Sequence, residues 1–217
     1  MPQIRTGRRK YYDIFSYLYD VFIRLHARRD EGDTRDFLVG VPDLADIPKP
    51  CILDICCGTG AVIVAFAGRY AESLVVGYDF SHGMLSKARE KPGAQRVRFI
   101  EGDATALPFA DERFDVVTCS HALYELKGEA RQAALQEMKR VIKPAGMVLI
   151  MEHEVPQHPV VRLLFNLRMM AMGSADAREF VKGGLAIYKQ IFPVVSLAHS
   201  PSGKSKLIIC RTHARAS

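Results

Sequence analysis

The chain has 217 residues, of which 48% are hydrophobic, 25% charged and 9% aromatic; it is too apolar to be disordered, and its length suits one domain with a sizeable core. Thirty Lys and Arg against 24 Asp and Glu leave a formal net charge of +6, which permits nucleic acid, anionic lipid or an anionic cofactor as partner and selects none of them. Cys51, Cys56, Cys57, Cys119 and Cys210 form no CxxC pair and no spacing with histidine that reads as a zinc site, so no metal centre is expected, and free thiols point to a reducing, cytoplasmic setting.

The first segment, MPQIRTGRRKYYDIFSYLYDVFIRL, starts basic and turns apolar like a signal peptide. Asp13 and Asp20 interrupt its apolar run, no small-residue cleavage site follows, and nothing approaches the roughly 18 uninterrupted apolar residues of a membrane span. It reads as helical. Tyr12 and Tyr19, seven apart, share a helix face, which predicts a lid within residues 1–45; packing of that helix on the sheet is the alternative. Arg8, Arg9 and Lys10 before it form either a solvated basic terminus or a peripheral contact with an anionic membrane surface.

After a polar, Pro-containing stretch from Gly40 to Pro50, apolar runs alternate with helical segments. The expected strands are Cys51–Cys56, Leu74–Tyr78, Val97–Glu101, Phe114–Ser120 and Met147–Glu152; the first, fourth and fifth are nearly continuous in apolar residues, as in strands covered on both faces. Between them Ala61–Tyr70, His82–Lys91 and Glu129–Ile142 read as helices. In the last, only Glu137 breaks the 3.6-residue apolar pattern, and Pro144 and Gly146 are expected to stop it before the fifth strand. Alternation of this kind predicts a doubly wound parallel sheet, because parallel pairing needs a crossover helix. Farther on, Pro159–Met172 is a helix candidate apolar on almost every face, its core holding Val160–Met172. Phe192–His199 and Lys206–His213, separated by Ser200-Pro201-Ser202-Gly203, read as an antiparallel hairpin at one sheet edge. The expected α/β fold is thus a mostly parallel, seven-stranded sheet in one domain: N-terminal helices (1–45), a core (50–154), a helical segment (155–190) and the hairpin (191–217).

Three strand ends carry chemistry. Leu53-Asp54-Ile55-Cys56-Cys57-Gly58-Thr59-Gly60 lies between a strand and a helix, and its two glycines allow a tight turn with close backbone approach to a ligand. A dinucleotide fingerprint needs a third glycine where Ile63 stands, so pyrophosphate binding loses support. The Asp54 carboxylate suits an ammonium or sulfonium group better. Asp79, in Tyr78-Asp79-Phe80-Ser81, stands 19 positions beyond Gly60 and can accept hydrogen bonds from both ribose hydroxyls; the plainer alternative is that Asp79 or Ser81 caps the helix beginning at His82. Asp103, in Gly102-Asp103-Ala104-Thr105, could accept from an adenine amine.

Together these motifs resemble the class I S-adenosylmethionine-dependent methyltransferases. LDICCGTG is similar to the family's glycine-rich motif, YDFSHGML to its acidic second-strand motif and GDATALPF to its adenine-side loop; FDVVTCSHALYEL and MKRVIKPAGMVLIMEH are similar to the segments that follow. The likeness spans about Tyr12 to Glu154. Within the family the chain most resembles the ubiquinone/menaquinone-biosynthesis C-methyltransferases and their relatives of the methyltransferase type 11 group, through the paired Tyr12-Asp13 and Tyr19-Asp20 and through DFSHGML. Their substrate-side segment is not found between Val155 and Pro193, and Cys56 stands where many members have glycine. The resemblance implies that Asp54, Cys56, Gly58 and Gly60 surround the methionyl part of S-adenosylmethionine. It implies further that Asp79 holds the ribose, Phe80 and Met84 flank the adenine, and Asp103 with Ala104 meets its amino group. Ser120 and His121 would lie beside the methyl donor, and Tyr19 would close over the amino-acid end.

Methyl transfer is an in-line displacement in which a protein chiefly aligns the nucleophile and excludes water. Where a base is needed, His121 and His153, each after a strand at the ligand-binding end, are the catalytic candidates; a structural role is the alternative for each. Tyr124 and Glu125 either line the acceptor pocket or start a helix. The expected acceptor is a small hydrophobic or amphipathic molecule. A phospholipid or amine N-methyltransferase and a non-catalytic cofactor-binding module are the alternatives. Nucleic acid is not expected as substrate, since Ser120-His121-Ala122-Leu123 stands where amino-directed nucleic-acid enzymes carry an Asn-Pro-Pro-Tyr-type motif.

Overall fold

The computed structural model describes residues 30–155, 157–159, 162–163, 180 and 183–213. In chain order these form α1 (Asp30–Gly40), β1 (Cys51–Ile55), α2 (Ala61–Arg69), β2 (Leu74–Asp79), α3 (His82–Arg89), β3 (Val97–Glu101), β4 (Phe114–Ser120), α4 (Gly128–Val141), β5 (Ile142–His153), α5 (Ala186–Lys189), β6 (Val194–His199) and β7 (Ser205–Arg211). The seven strands make one sheet in the order β3-β2-β1-β4-β5-β7-β6. Five strands run parallel, while β7 pairs antiparallel with both β5 and β6. A mostly parallel sheet finished by an antiparallel hairpin is the architecture the sequence predicts.

Every residue of β1 is buried, and β4 is buried up to Ser120, as their apolar runs require of strands with helices on both faces. On one face Leu53, Ile55, Val117, Cys119 and Ile150 pack under Leu135 and Met138 of α4 and Tyr188 of α5. On the other, Ile52, Val116 and Leu149 share a cluster with Leu38 of α1, Phe66 of α2 and Leu85 of α3. Because β2 lies on one side of β1 and β4 on the other, the crossovers reverse direction at β1. The sheet therefore opens at the carboxyl ends of β1 and β4, the place where such folds bind ligands.

Two expectations need correction. Pro144 and Gly146 do not stand between helix and strand: α4 runs directly into β5, Ile142 pairs with Phe114, and regular pairing resumes at Met147 with Val116. Residues 143–146 thus bulge opposite Asp115, and a bulge tolerates a proline that has no amide hydrogen to donate. The hairpin strands are also shorter than predicted at their outer ends, β6 beginning at Val194 and β7 ending at Arg211, while the turn between them closes with the Ser200 amide donating to the Ser205 carbonyl at 2.9 Å. Glu137, the misfit in the helical pattern, faces the loop after β3. It accepts from the Leu107 amide (2.7 Å) and from Arg140 Nε (2.7 Å), while Arg140 also donates to the Leu107 and Phe109 carbonyls and to Asp111. A loop with no helix of its own is thereby fastened to α4.

Candidate functional site

The loop leaving β1 turns through left-handed backbone at Cys56 (φ 56°), Gly58 (φ 53°) and Gly60 (φ 77°). Glycine takes this conformation without strain, whereas a residue with a Cβ such as cysteine adopts it at a cost. The Gly60 amide donates to the Cys57 carbonyl at 2.8 Å, and the Cys57 amide to the Tyr78 carbonyl at 3.1 Å, tying the loop to the end of β2. A Cβ on Gly58 would meet nothing within 4 Å, so its backbone is open to close approach by a ligand.

Two buried carboxylates flank this loop. Asp79 accepts from the Gly58 amide through Oδ2 (2.8 Å) and from the Ser81 amide through Oδ1 (2.9 Å). Ser81, not Asp79, caps α3, its hydroxyl accepting from the Met84 amide at 3.2 Å. Asp54 is 1% exposed and accepts from the Thr118 hydroxyl at 2.6 Å. Burial pushes the Asp54 carboxyl up to about 7, against the pull of Thr118 and with a further push from Asp79. Burial likewise raises Asp79 to about 6, opposed by the Ser81 and Gly58 amides. Each acid is held so that a cation or a pair of hydroxyl donors would complete it. Cys56 packs against the cluster that contains Cys119 and is hydrogen-bonded to it, a contact that with burial drives the Cys119 thiol well above its usual range. All five cysteines are free thiols.

On the neighbouring strand ends, Asp103 Oδ1 accepts from both the amide (3.0 Å) and the hydroxyl (2.8 Å) of Thr105, which shapes the turn after β3. Ala104 and Met84 are buried, and Phe80 is half-buried at the start of α3. Beyond β4 the backbone again turns left-handed, at His121 (φ 51°), whose amide donates to the Met151 carbonyl at 2.8 Å. The turn lays the His121 ring 4.4 Å from that of His153, and the Tyr124 ring lies 5.7 Å from that of His153. His121 Nε2 lies 3.4 Å from the Ser205 hydroxyl. Ser120, half-buried, pairs with Met151 at the end of β4. The two histidines, 32 positions apart in the chain, are thus brought together.

The expected lid residues, Tyr19 among them, the basic run Arg8 to Lys10 and most of the Val160–Met172 helix lie outside the described residues. Among the described residues no cluster of His, Cys, Asp and Glu could hold a metal ion, and no helix is long and apolar enough to cross a membrane. Sequence reasoning passed over Thr118, although a hydroxyl in an otherwise apolar strand was a visible signal. It also passed over Glu152, which is 1% exposed on β5 and whose carboxyl burial pushes up to about 8, opposed by the charges of Lys206 and Arg131. Arg131 is itself buried, donating to the Leu123 and Tyr124 carbonyls with its guanidinium 3.9 Å from the Phe180 ring centroid.

Residues 52–146 match the family model of a methyltransferase domain. The demethylmenaquinone methyltransferase of Clavibacter sepedonicus is 43% identical over 130 residues, covering 59% of this chain and 51% of that protein. That of Staphylococcus aureus strain MRSA252 is 39% identical over 117 residues, or 53% of this chain and 48% of its own. The chain spans about half the length of these curated relatives. Among solved structures, a TehB-like SAM-dependent methyltransferase from Corynebacterium glutamicum superposes with a TM-score of 0.62 at 14% identity, over 94% of this chain and 99% of its own. An O-methyltransferase family protein from Burkholderia thailandensis superposes with a TM-score of 0.69 at 17% identity, over 94% and 60%. The structural likeness is one of fold.

Proposed function

We propose that this chain, which carries a class I S-adenosylmethionine-dependent methyltransferase domain, moves a methyl group to a small hydrophobic or amphipathic acceptor. The observation that carries this reading is the pair of buried carboxylates, Asp54 and Asp79, on either side of a left-handed loop at the point where the sheet opens. An acidic cradle suits a cationic sulfonium nucleoside and opposes a phosphate. Asp79, oriented by two amides, fits a ribose diol. Asp54, Cys56, Gly58 and Gly60 would hold the methionyl end, closed by Tyr19. Phe80 and Met84 would flank the adenine, and Asp103 with Ala104 would meet its amine.

When bound, S-adenosylmethionine supplies an electrophilic methyl group on its sulfonium. The protein's task is then to align the acceptor, exclude water and take the acceptor's proton where one is lost. Ser120 and the adjacent pair His121 and His153 stand at the ends of β4 and β5 for these roles, with one imidazole taking the proton. The curated relatives act on demethylmenaquinone by name, which favours a quinone-like ring among the acceptors. Calorimetric titration with S-adenosylmethionine and with S-adenosylhomocysteine tests the cofactor; failure of both to bind would sink the reading. Incubation of the loaded protein with a metabolite extract and a labelled methyl group should then label a small molecule, and binding without any labelled product would make the chain a cofactor-binding module.

A further inference from the structure

Methyl transfer consumes no thiol, yet two of the five free cysteines meet beside the loop after β1. β1 and β4 run parallel with Asp54 opposite Thr118, so the next position along each strand sets Ile55 beside Cys119. Cys56 follows one residue later. Ordinary strand spacing and rise then put the Cys56 and Cys119 α-carbons about 6 Å apart, within the roughly 4.4–6.8 Å that a disulfide spans. The side chains also share a face. Pleated alternation would turn Ile55 and Cys56 to opposite sides of the sheet, but both pack in the cluster under α4 that contains Cys119. The left-handed backbone at Cys56 (φ 56°) accounts for this. Cys57 falls on the other side, in the cluster with Phe66 and Leu85, its sulfur 3.1 Å from where a Cβ on Gly77 would stand. Of the two adjacent cysteines, one is turned toward Cys119 and the other away from it.

No other thiol competes for Cys119. Cys51 begins β1, four residues before Ile55 and hence about 13 Å along the strand from the level of Cys119. Cys210 lies on β7, and β5 stands between β7 and β4, a separation of about 10 Å. The matched pair is unequal in access. Cys119 is fully enclosed, whereas Cys56 is half-buried in a loop whose backbone is open at Gly58. A reagent from solvent therefore meets Cys56 first.

We propose that Cys56 and Cys119 form a modification site, at which a peroxide closes a disulfide between the loop after β1 and β4 and so weakens cofactor binding; the second half rests on the methyltransferase reading. The Cys56 sulfur attacks one oxygen of the peroxide, the O–O bond breaks, and Cys56 becomes a sulfenic acid while the other oxygen leaves as water or an alcohol. The Cys119 sulfur then attacks the Cys56 sulfur, the S–S bond forms, and the sulfenic oxygen leaves as a second water with the Cys119 proton. Two thiols have given up two electrons, and the peroxide has taken them. A dithiol reductant reverses the change by exchange. Cys56 precedes Gly58 by two residues, and the Gly58 amide is what the Asp79 carboxylate accepts from. Drawing the Cys56 side chain from contact into a bond with β4 moves this loop relative to Asp79, on the side where the methionyl end of the cofactor would lie.

Limited treatment of the reduced full chain with hydrogen peroxide tests this. The expected result is a mass lower by about 2 Da for the two hydrogens lost, a thiol count in denaturant that falls from five to three, and a proteolytic digest in which the peptides of Cys56 and Cys119 are linked. S-adenosylhomocysteine should bind the oxidised chain at least tenfold more weakly, and dithiothreitol should restore its affinity to within twofold. Cys119→Ala should show no such loss of mass; if that variant fails to fold by circular dichroism, Cys56→Ser decides by the same readout. Five thiols retained by the wild type, a link that uses another cysteine, the same loss of mass in the variant, or an affinity unchanged by closure overturns the proposal. A reduced wild type that closes the disulfide and binds no S-adenosylhomocysteine breaks the cofactor reading while the modification site stands.

Discussion

The parallel part of the sheet, β1 to β4, and its antiparallel edge, β5 to β7, treat buried polar groups in opposite ways. In the first, Asp54 is met by Thr118, Asp79 by two backbone amides and Ser81 by the Met84 amide it caps. Two of these three partnerships lie within a few residues or across one loop. At the edge, the burial of Glu152 is opposed chiefly by the charges of Lys206 and Arg131, which come from another strand and another helix, and less by the Tyr124 amide. A pocket whose ligand is constant can be finished in advance by the protein's own groups.

The contrast predicts separable effects. Asp79→Ala should weaken S-adenosylmethionine binding about a hundredfold, roughly 3 kcal/mol for the loss of charge-assisted hydrogen bonds. An affinity unchanged by calorimetry would remove Asp79 from the cofactor site. His121→Ala should lower turnover about a hundredfold, the low end of the usual range for a lost proton acceptor, with cofactor affinity unchanged within threefold; a loss confined to cofactor affinity would move His121 to the first region.

Stability against pH distinguishes the edge. The Glu152 carboxyl titrates at about 8 in the folded chain and near its ordinary 4.5 when unfolded, so between those values the native state holds a proton that the unfolded chain has released. Linkage then lowers wild-type stability as pH rises from about 4.5 to about 8. Glu152→Gln removes this dependence, so the melting temperature of the variant relative to wild type should climb by several degrees across that window and level off above it. A constant difference from pH 4 to 9 would contradict the burial of this acid.

The smallest effect belongs to Thr118→Val. The Thr118 hydroxyl holds the Asp54 carboxyl down against burial, so without it more Asp54 is protonated at pH 7. Affinity for the cationic cofactor should drop about fivefold at pH 7, as expected for one hydrogen bond, and recover toward the wild-type value at pH 8.5. Equal losses at both values would mean that Thr118 acts by packing alone.

The same division governs what could be read from the residues. β1 and β4 are near-continuous apolar runs, and the acidic residues near the ends of β1 and β2 stand in short motifs, so both the fold and the glycine-rich loop after β1 were legible. Glu137 looked like an error in an amphipathic pattern because the pattern counts only core contacts, whereas its partners are the Leu107 amide and Arg140. Pro144 and Gly146 resembled a stop signal because a bulge and a helix end favour the same residues. At the sheet edge Glu152 pairs with Lys206 and Lys206 with His199, a row that was invisible for another reason. It exists only once β7 is placed between β5 and β6 and the register is set, and a slip of one residue would turn all three to the opposite face. His121 and His153 were each named, but their close approach depends on a left-handed turn at His121 that no residue type announces.

Cys56 carries a consequence for the order in which freedom is lost. A glycine at its left-handed position could also visit the mirror-image regions of backbone space, and the loop would have more shapes to give up when a ligand arrives. The Cβ of cysteine closes most of those regions, and its contact with Cys119 fixes the side chain as well. The entropy of ordering this turn is therefore surrendered as the chain folds and not at the moment of binding. What the fold loses in local strain, the site recovers as a loop already shaped for its ligand.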